Sequence, residues 1–136
     1  MISHNKPTIG KEEQHAVSSV LDSSNIAQGI EVEKFENEFC EFLGLPEQHA
    51  VALSSGTSAL YLALWCLEGV NKTVALPSYV CSSLRNAVAM IQSRERLIDN
   101  DIESPNISID KLQDKGADIA IIPHMFGLPT EIQKLN

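Results

Sequence analysis

The chain has 136 residues, of which 43% are hydrophobic and 21% are charged, a composition that excludes a disordered tail or a collagen-like repeat. Its 18 acidic residues outnumber its 10 lysines and arginines, so the formal net charge is −8. This charge argues against nucleic acid or an anionic membrane as a partner, because both are bound through clustered basic residues. An anionic ligand would have to be bound by local backbone dipoles.

The sequence contains no evident targeting or membrane-spanning segment. The N-terminus lacks the hydrophobic stretch of a secretion signal. The longest apolar run, residues 59–67, is far shorter than the roughly 18 residues that cross a bilayer. We therefore expect a cytoplasmic protein that makes no membrane contact.

The cysteines and histidines do not predict a metal site. Cys40, Cys66 and Cys81 are odd in number and form no C-x-x-C pair, so buried free thiols are favoured over a disulfide or a metal cluster. The four histidines lie far apart and form no H-E-x-x-H or H-x-H pair. We expect no bound metal.

The first part of the chain predicts two amphipathic helices. The first covers residues 11–21 and has two glutamates in its first turn, where the helix dipole favours negative charge. The second covers residues 31–43, with apolar residues every three or four positions, and ends at Gly44, the residue type that favours a left-handed C-cap. The segment between them is predicted to be extended, with a turn at Gly29.

From residue 50 onward, short apolar runs alternate with helical patterns. Runs without polar alternation are typical of strands buried on both faces of a parallel sheet. The predicted strands cover residues 50–53, 73–76, 96–99 and 118–122, and the predicted helices cover residues 57–68, 81–91, 110–115 and 129–135. This order predicts an α/β protein with a mostly parallel sheet flanked by helices.

The loop between the first predicted strand and the following helix has the features of a phosphate site. Ser55, Gly56, Thr57 and Ser58 are small residues that let backbone N–H groups approach an anion at a helix N-terminus. No lysine follows, as it would in a nucleotide-triphosphatase loop, and there is no G-x-G-x-x-G turn. The segment alone is equally consistent with a capped helix behind a tight turn.

Two further loops follow predicted strands. Tyr79 follows Pro77, and its ring could stack on a flat ligand or pack, half-buried, at a helix start. His124 follows Pro123 and could contact a ligand or move a proton, although a single histidine is more often a hydrogen-bonded structural residue. In open parallel sheets, ligands bind beyond the carboxyl ends of the strands, where such loops meet.

The order of these motifs resembles a known family. The stretches SGTSAL at 55–60, LPSY at 76–79, Asp99 and PHMFG at 123–127 follow one another as in the N-terminal part of the DegT/DnrJ/EryC1/StrS family. Upstream, residues 7–10, 28–29 and 35–36 also resemble the family's entry segment. The family comprises pyridoxal-phosphate-dependent aminotransferases of fold type I. The resemblance implies that residues 1–136 form an N-terminal segment and part of the cofactor-binding large domain.

The resemblance also implies roles for individual residues. The cofactor, pyridoxal 5'-phosphate, would be held by its phosphate on the turn formed by Ser55, Gly56, Thr57 and Ser58. Tyr79 would stack on its pyridine ring. His124 and Gly29 would line the site or its substrate side.

The implied reaction moves an amino group from an amino-acid donor, glutamate, to a keto-sugar nucleotide in surface-polysaccharide or natural-product sugar biosynthesis. The full-length form would be a homodimer. The family's aspartate for the pyridine nitrogen and its cofactor-linking lysine have no counterpart in this chain. Lys134 lies outside the serine-containing context of that lysine. No catalytic residue is therefore assigned, and we expect the chain alone to be inactive.

Three other interpretations remain open from the sequence. The chain could belong to the family's dehydratase branch, in which a histidine replaces the lysine. It could be a binding or regulatory module that keeps the phosphate loop without the chemistry. It could also be a truncated remnant that folds poorly, because half a sheet leaves an open edge and unburied apolar helices.

Overall fold

The computed structural model describes residues 6–135, apart from the side chain of Lys115, and divides into two compact units, Met1–Ala52 and Leu53–Asn136. The first unit contains helices α1 (Lys11–Asp22) and α2 (Ile30–Leu43), which confirms the two predicted helices. The N–H of Gly10 donates to Glu13 Oε2 (2.6 Å) at the start of α1, and this bond lowers the pKa of the Glu13 carboxyl. Helix α2 ends, as predicted, at a left-handed Gly44 with φ +67°.

The strand predicted at residues 50–53 is wrong. The chain there is irregular, and the side chain of Val51 is 68% exposed. The N–H of Ala52 donates to Oε1 of Glu36 (2.7 Å) and not to a neighbouring strand. A strand requires backbone partners along its length, and none of the residues that the structure describes supplies them here.

The second unit alternates helices and strands. Its elements are α3 (Gly56–Cys66), β1 (Thr73–Pro77), α4 (Ser82–Met90), β2 (Arg94–Ile98), α5 (Ile109–Lys115) and β3 (Ile119–Ala120), followed by two 3₁₀ turns, Met125–Gly127 and Ile132–Lys134. The strands form one parallel sheet in the order β2-β1-β3, with Val74 of β1 opposite Glu95 and Ile119. The predicted α/β class with a parallel sheet is confirmed.

Both faces of the central strand β1 are buried. Val74 and Leu76 pack on one side with residues of α3 and α4, among them Leu64, Leu84 and Val88. Ala75 faces the opposite side and packs with Ile98, Ile107, Ile109 and Leu112. Burial on both faces explains why β1 has no polar alternation.

The C-terminal helix predicted at residues 129–135 is also wrong. The N–H of Thr130, which would start that helix, donates instead to the ring nitrogen Nδ1 of His124 (3.0 Å). The chain then makes only the short 3₁₀ turn Ile132–Lys134. The N–H groups of a first helical turn have no acceptor within the helix, so this bond alone does not prevent a helix, and a proline at the predicted start is not sufficient to form one.

The three cysteines are free, as predicted, but only Cys40 is buried. The expectation of buried thiols is wrong for Cys66 and Cys81, which are exposed.

Helix α3 is apolar nearly all round, yet only Leu64 is fully buried, and Trp65 beside Cys66 is exposed. Within the described part of the chain, no helix has the length and apolar character needed to cross a membrane.

Candidate functional site

The direction of α3 brings three predicted loops to one edge of the sheet. The carbonyl of Gly69, just beyond α3, accepts bonds from the N–H of Lys72 and the hydroxyl of Ser93, which immediately precede β1 and β2. The C-terminal end of α3 therefore lies at the amino ends of the strands. An 11-residue helix spans about 16 Å and so does a five-residue strand, so α3 begins at the carboxyl edge. Tyr79 follows β1 and His124 follows β3 at that same edge.

The N-terminus of α3 is capped, but two of its N–H groups are open. Ser55 is the N-cap residue, and its Oγ accepts the N–H of Ser58 (3.1 Å) while the two hydroxyl oxygens lie 3.0 Å apart. Among the described residues, no acceptor bonds the N–H of Gly56 or Thr57. A Cβ added to Gly56 would meet no atom within 4 Å. The turn is therefore a capped helix start that also has the N–H groups and the space to bind a phosphate.

Tyr79 has a fixed backbone and a free ring. Its N–H donates to Oδ1 of Asn100 (3.0 Å), and the N–H of Ser78 before it donates to the carbonyl of Ile98 (2.8 Å). The residue is nevertheless 65% exposed, so its ring is not packed half-buried at the helix start, which was the other arrangement that the sequence allows. An aromatic ring presented in this way can stack on a planar ligand.

His124 is exposed and hydrogen-bonded at the same time. Its Nδ1 accepts the N–H of Thr130, so in the neutral ring the proton must lie on Nε2. Phe126 and Gly127 follow in the left-handed region, with φ of +55° and +78°. His124 thus makes the hydrogen bond expected of a structural histidine, and its Nε2–H can also donate to a ligand.

Gly29 belongs to the first unit, whereas the other predicted site residues all belong to the second. Its carbonyl accepts the N–H groups of Val32 and Glu33 at the start of α2 (3.0 and 3.1 Å). Its backbone is extended, with φ −172°, so its conformation does not require glycine. A Cβ there would lie 2.9 Å from the side-chain nitrogen of Asn25. Gly29 lines a cavity of about 460 Å³ within this unit, together with residues of α1 and α2.

Two asparagines at the carboxyl edge were not anticipated from the sequence. Asn100 and Asn106 lie in the loop between β2 and α5, and each bonds the loop that follows another strand. A side-chain amide can satisfy both an N–H and a C=O. No local pattern distinguishes these two residues from other asparagines in the sequence, because their partners are about 20 residues away.

Cys81 lies two residues beyond Tyr79, at the N-cap of α4. Hydrogen bonds from the side chain and the backbone of Ser83 lower the pKa of its thiol. An exposed cysteine of this kind carries more thiolate near neutral pH than an ordinary one. Among the described residues, no group of three histidines, cysteines or carboxylates is arranged to hold a metal ion.

The parallel sheet with helices on both faces and an open helix terminus at its carboxyl edge places this protein among the α/β proteins in which ligands bind at that edge. A sequence profile of the DegT/DnrJ/EryC1/StrS aminotransferase family matches residues 7–136. The chain belongs to this family.

Individual relatives support the assignment. The chain is 32% identical to the dTDP-4-dehydro-2,3,6-trideoxy-D-glucose 4-aminotransferase of Saccharopolyspora spinosa, with 97% of this chain and 35% of the relative covered. The crystal structure of the aminotransferase TlmJ from Streptoalloteichus hindustanus is similar with a TM-score of 0.79 and 30% identity, over 88% of this chain and 33% of that one.

A dehydratase is also similar to this chain. The GDP-4-keto-6-deoxy-D-mannose-3-dehydratase of E. coli, with bound hydrated pyridoxal phosphate, matches with a TM-score of 0.83 and 25% identity. The match covers 94% of this chain and 35% of the dehydratase. The chain thus spans about one third of the length of the relatives it matches.

Proposed function

We propose that this protein takes part in the transfer of an amino group from glutamate to the keto carbon of a sugar nucleotide, with pyridoxal 5'-phosphate as cofactor. The cofactor, when bound, supplies the electron sink that such amino transfer requires. The residues of this chain are proposed to bind and orient the cofactor and the substrate, and not to transfer protons. The aminotransferase relatives support this proposal.

The open N-terminus of α3 is the observation that carries the proposal. The N–H groups of Gly56 and Thr57 lack acceptors among the described residues, and the helix dipole adds about half a positive charge at this point. In a chain with net charge −8, this local dipole is what can attract a phosphate. Ser55 and Ser58 complete the turn with their hydroxyls.

Tyr79 and His124 occupy the same edge and complete the proposed site. The exposed ring of Tyr79 offers a stacking surface for the pyridine ring, which lies beside the phosphate in the cofactor. The Nε2–H of His124 offers a donor toward the substrate side. Gly29, in the first unit, is proposed as a substrate-side residue on the family resemblance alone.

The whole protein is proposed to act as a cytoplasmic homodimer in sugar biosynthesis. The exposed apolar side chains of the second unit, which include Trp65 and Leu67 at the end of α3, offer surface that further polypeptide would cover. Nucleic acid is not a proposed partner, because the chain is acidic and its 10 basic residues are outnumbered.

A sugar dehydratase is the second candidate, because the E. coli dehydratase is also similar to this chain. The two reactions differ in the fate of nitrogen. With glutamate that carries a heavy nitrogen isotope, an aminotransferase places the label in the sugar, whereas the dehydration product contains no donor nitrogen. Mass spectrometry of the sugar nucleotide distinguishes them.

The substitution Gly56→Ala tests the phosphate site directly. The structure has room for the new Cβ, and alanine favours a helix, so the free energy of unfolding should stay equal or rise by up to about 1 kcal/mol. We expect pyridoxal phosphate, titrated by calorimetry, to bind about tenfold more weakly, because the Cβ occupies the space of the phosphate. Gly10→Ala, at the start of α1, is the control. Equal affinity of Gly56→Ala and wild type would refute the proposed site.

A further inference from the structure

The loop between β2 and α5 is tightly built and reaches across the sheet. Asn100 and Ile107 form an antiparallel bridge, and the N–H of Asp101 donates to the carbonyl of Asn106 (2.9 Å). The N–H of Asn106 donates to Ser104 Oγ (3.2 Å). The backbone of Asn106 is thereby held in place, and the residue is only 5% exposed.

The side chain of Asn106 connects this loop to the one that follows β3. Its Oδ1 accepts the N–H of Met125 (2.9 Å), and its Nδ2 donates to the carbonyl of Leu128 (3.0 Å). Strands β2 and β3 are separated by β1 in the sheet, so sheet hydrogen bonds do not connect these two loops. The amide of Asn106 provides such a connection.

The two bonds of Asn106 enclose a strained turn. Phe126 and Gly127, which lie between Met125 and Leu128, both have left-handed φ angles. Phe126 is 79% exposed, so packing of its ring does not hold this conformation. A residue with a side chain keeps a left-handed backbone only where its surroundings impose it. Two backbone bonds hold the turn locally, from the N–H of Gly127 to the carbonyl of His124 (3.2 Å) and from the N–H of Leu128 to the carbonyl of Met125 (3.0 Å). The amide of Asn106 adds bonds to the residues on either side of it.

The same turn sets the position of His124. The bond from the N–H of Thr130 to His124 Nδ1 closes the loop just outside the bonds made by Asn106. We propose that Asn106 is a positioning residue for His124: its buried amide fixes the turn at Phe126 and Gly127, and through it the orientation and the Nε2–H tautomer of the His124 ring. This inference rests on the proposed function only for the role of His124 toward the substrate.

The test compares Asn106→Leu and Asn106→Asp with wild type by NMR, on the chain without cofactor. In Asn106→Leu both bonds are lost. We expect the amide of Thr130 to exchange with solvent about tenfold faster, and the ring nitrogens of His124 to lose the signature of a single Nε2–H tautomer. Asn106→Asp should be intermediate, because a carboxylate accepts the N–H of Met125 but cannot donate to Leu128.

Asn100→Leu is the matched control, six residues away in the same loop. It removes the bonds to Ser78, Tyr79 and Pro105 but leaves the side chain of Asn106 with both of its bonds, so Thr130 exchange should stay within about twofold of wild type. The inference is overturned if both Asn106 variants behave like wild type, or if Asn100→Leu disturbs His124 as much as Asn106→Leu does. If circular dichroism shows that Asn106→Leu does not fold, Asn106→Asp decides by the same criteria.

A titration of the folded proteins with pyridoxal phosphate separates this inference from the proposed function. Wild type that fails to bind the cofactor, together with the expected NMR changes, refutes the proposed function and leaves the role of Asn106 intact. Binding by wild type together with unchanged NMR signals in the Asn106 variants refutes the role of Asn106 alone.

Discussion

The backbone N–H of Tyr79 donates a hydrogen bond of 3.0 Å to the side-chain oxygen of Asn100, which lies 21 residues further along the chain. The same oxygen accepts the hydroxyl of Ser78 at 3.3 Å, and the Nδ2 of Asn100 donates to the carbonyl of Pro105. The exposed ring of Tyr79 is thus carried on a backbone that a neighbouring loop holds in place. A stacking residue with a fixed backbone loses less conformational freedom when a ligand binds.

Substitution of Asn100 should weaken cofactor binding in proportion to the bonds removed. Asn100→Leu removes the acceptor for Ser78 and Tyr79, and we expect pyridoxal phosphate to bind about five times more weakly. Asn100→Asp keeps an acceptor oxygen and should bind nearer to wild type. Calorimetric titration measures both, with circular dichroism as the check on folding. Equal affinity of the two variants would contradict the role assigned to this oxygen.

Substitutions of Ser55 should separate helix capping from anion binding. Ser55→Ala removes the acceptor for the N–H of Ser58 and should lower the free energy of unfolding by about 1 kcal/mol. Ser55→Asp keeps a cap and a favourable charge at the helix N-terminus, so stability should remain near that of wild type. Its carboxylate repels a phosphate, and we expect binding of pyridoxal phosphate to fall by about tenfold or more. Undiminished binding in Ser55→Asp would place the phosphate elsewhere.

No lysine of this chain is expected to link covalently to the cofactor. Ion pairs with Glu31 and Glu131 raise the pKa values of Lys34 and Lys134, so less of the reactive free amine is present, and Lys111 lies 3.0 Å from a carboxylate oxygen of Asp99. Incubation with pyridoxal phosphate, borohydride reduction and mass mapping should yield scattered, substoichiometric adducts. A single stoichiometric adduct on one lysine would show that this expectation is wrong.

The ion pair between Arg85 of α4 and Glu95 of β2 should make stability depend on pH. The guanidinium donates to both carboxylate oxygens, with Nε 2.8 Å from Oε2, and this bonding lowers the pKa of the Glu95 carboxyl. The stabilisation that this ion pair provides is therefore fully present above the pH range in which glutamate ordinarily titrates. It is lost as pH falls through the lowered pKa of Glu95.

Glu95→Gln should lower the Tm by only a few degrees near neutral pH, because both side chains are partly exposed. The difference from wild type should shrink as pH falls below the ordinary glutamate range and disappear once wild-type Glu95 is protonated. Thermal unfolding at several pH values measures this. A difference that persists or grows in acid would contradict the assigned pair.

Local patterns were sufficient to predict most elements of the second unit. The apolar run at residues 73–76 became β1, and the serine before Gly56 became the N-cap of α3. The hydrophobic period, the capping residues and the helix-breaking residues all act over a few neighbouring residues, so they can be recognised in the sequence. The predicted site residues Tyr79 and His124 follow Pro77 and Pro123, and parallel topology is enough to place both at one edge. Ser55 is placed there by the direction of α3, because the strand predicted before it does not form.

Other features depended on partners distant in the chain. The apolar run at residues 50–53 has strand character but lacks a backbone partner among the described residues. The amides of Asn100 and Asn106 act over about 20 residues. The alternation of helices and strands and the start of α3 could be predicted from the sequence, because these features depend on neighbouring residues. Which loops are held together could be read only from the folded chain, because the sheet brings the partners of those hydrogen bonds, about 20 residues apart, within reach of one another.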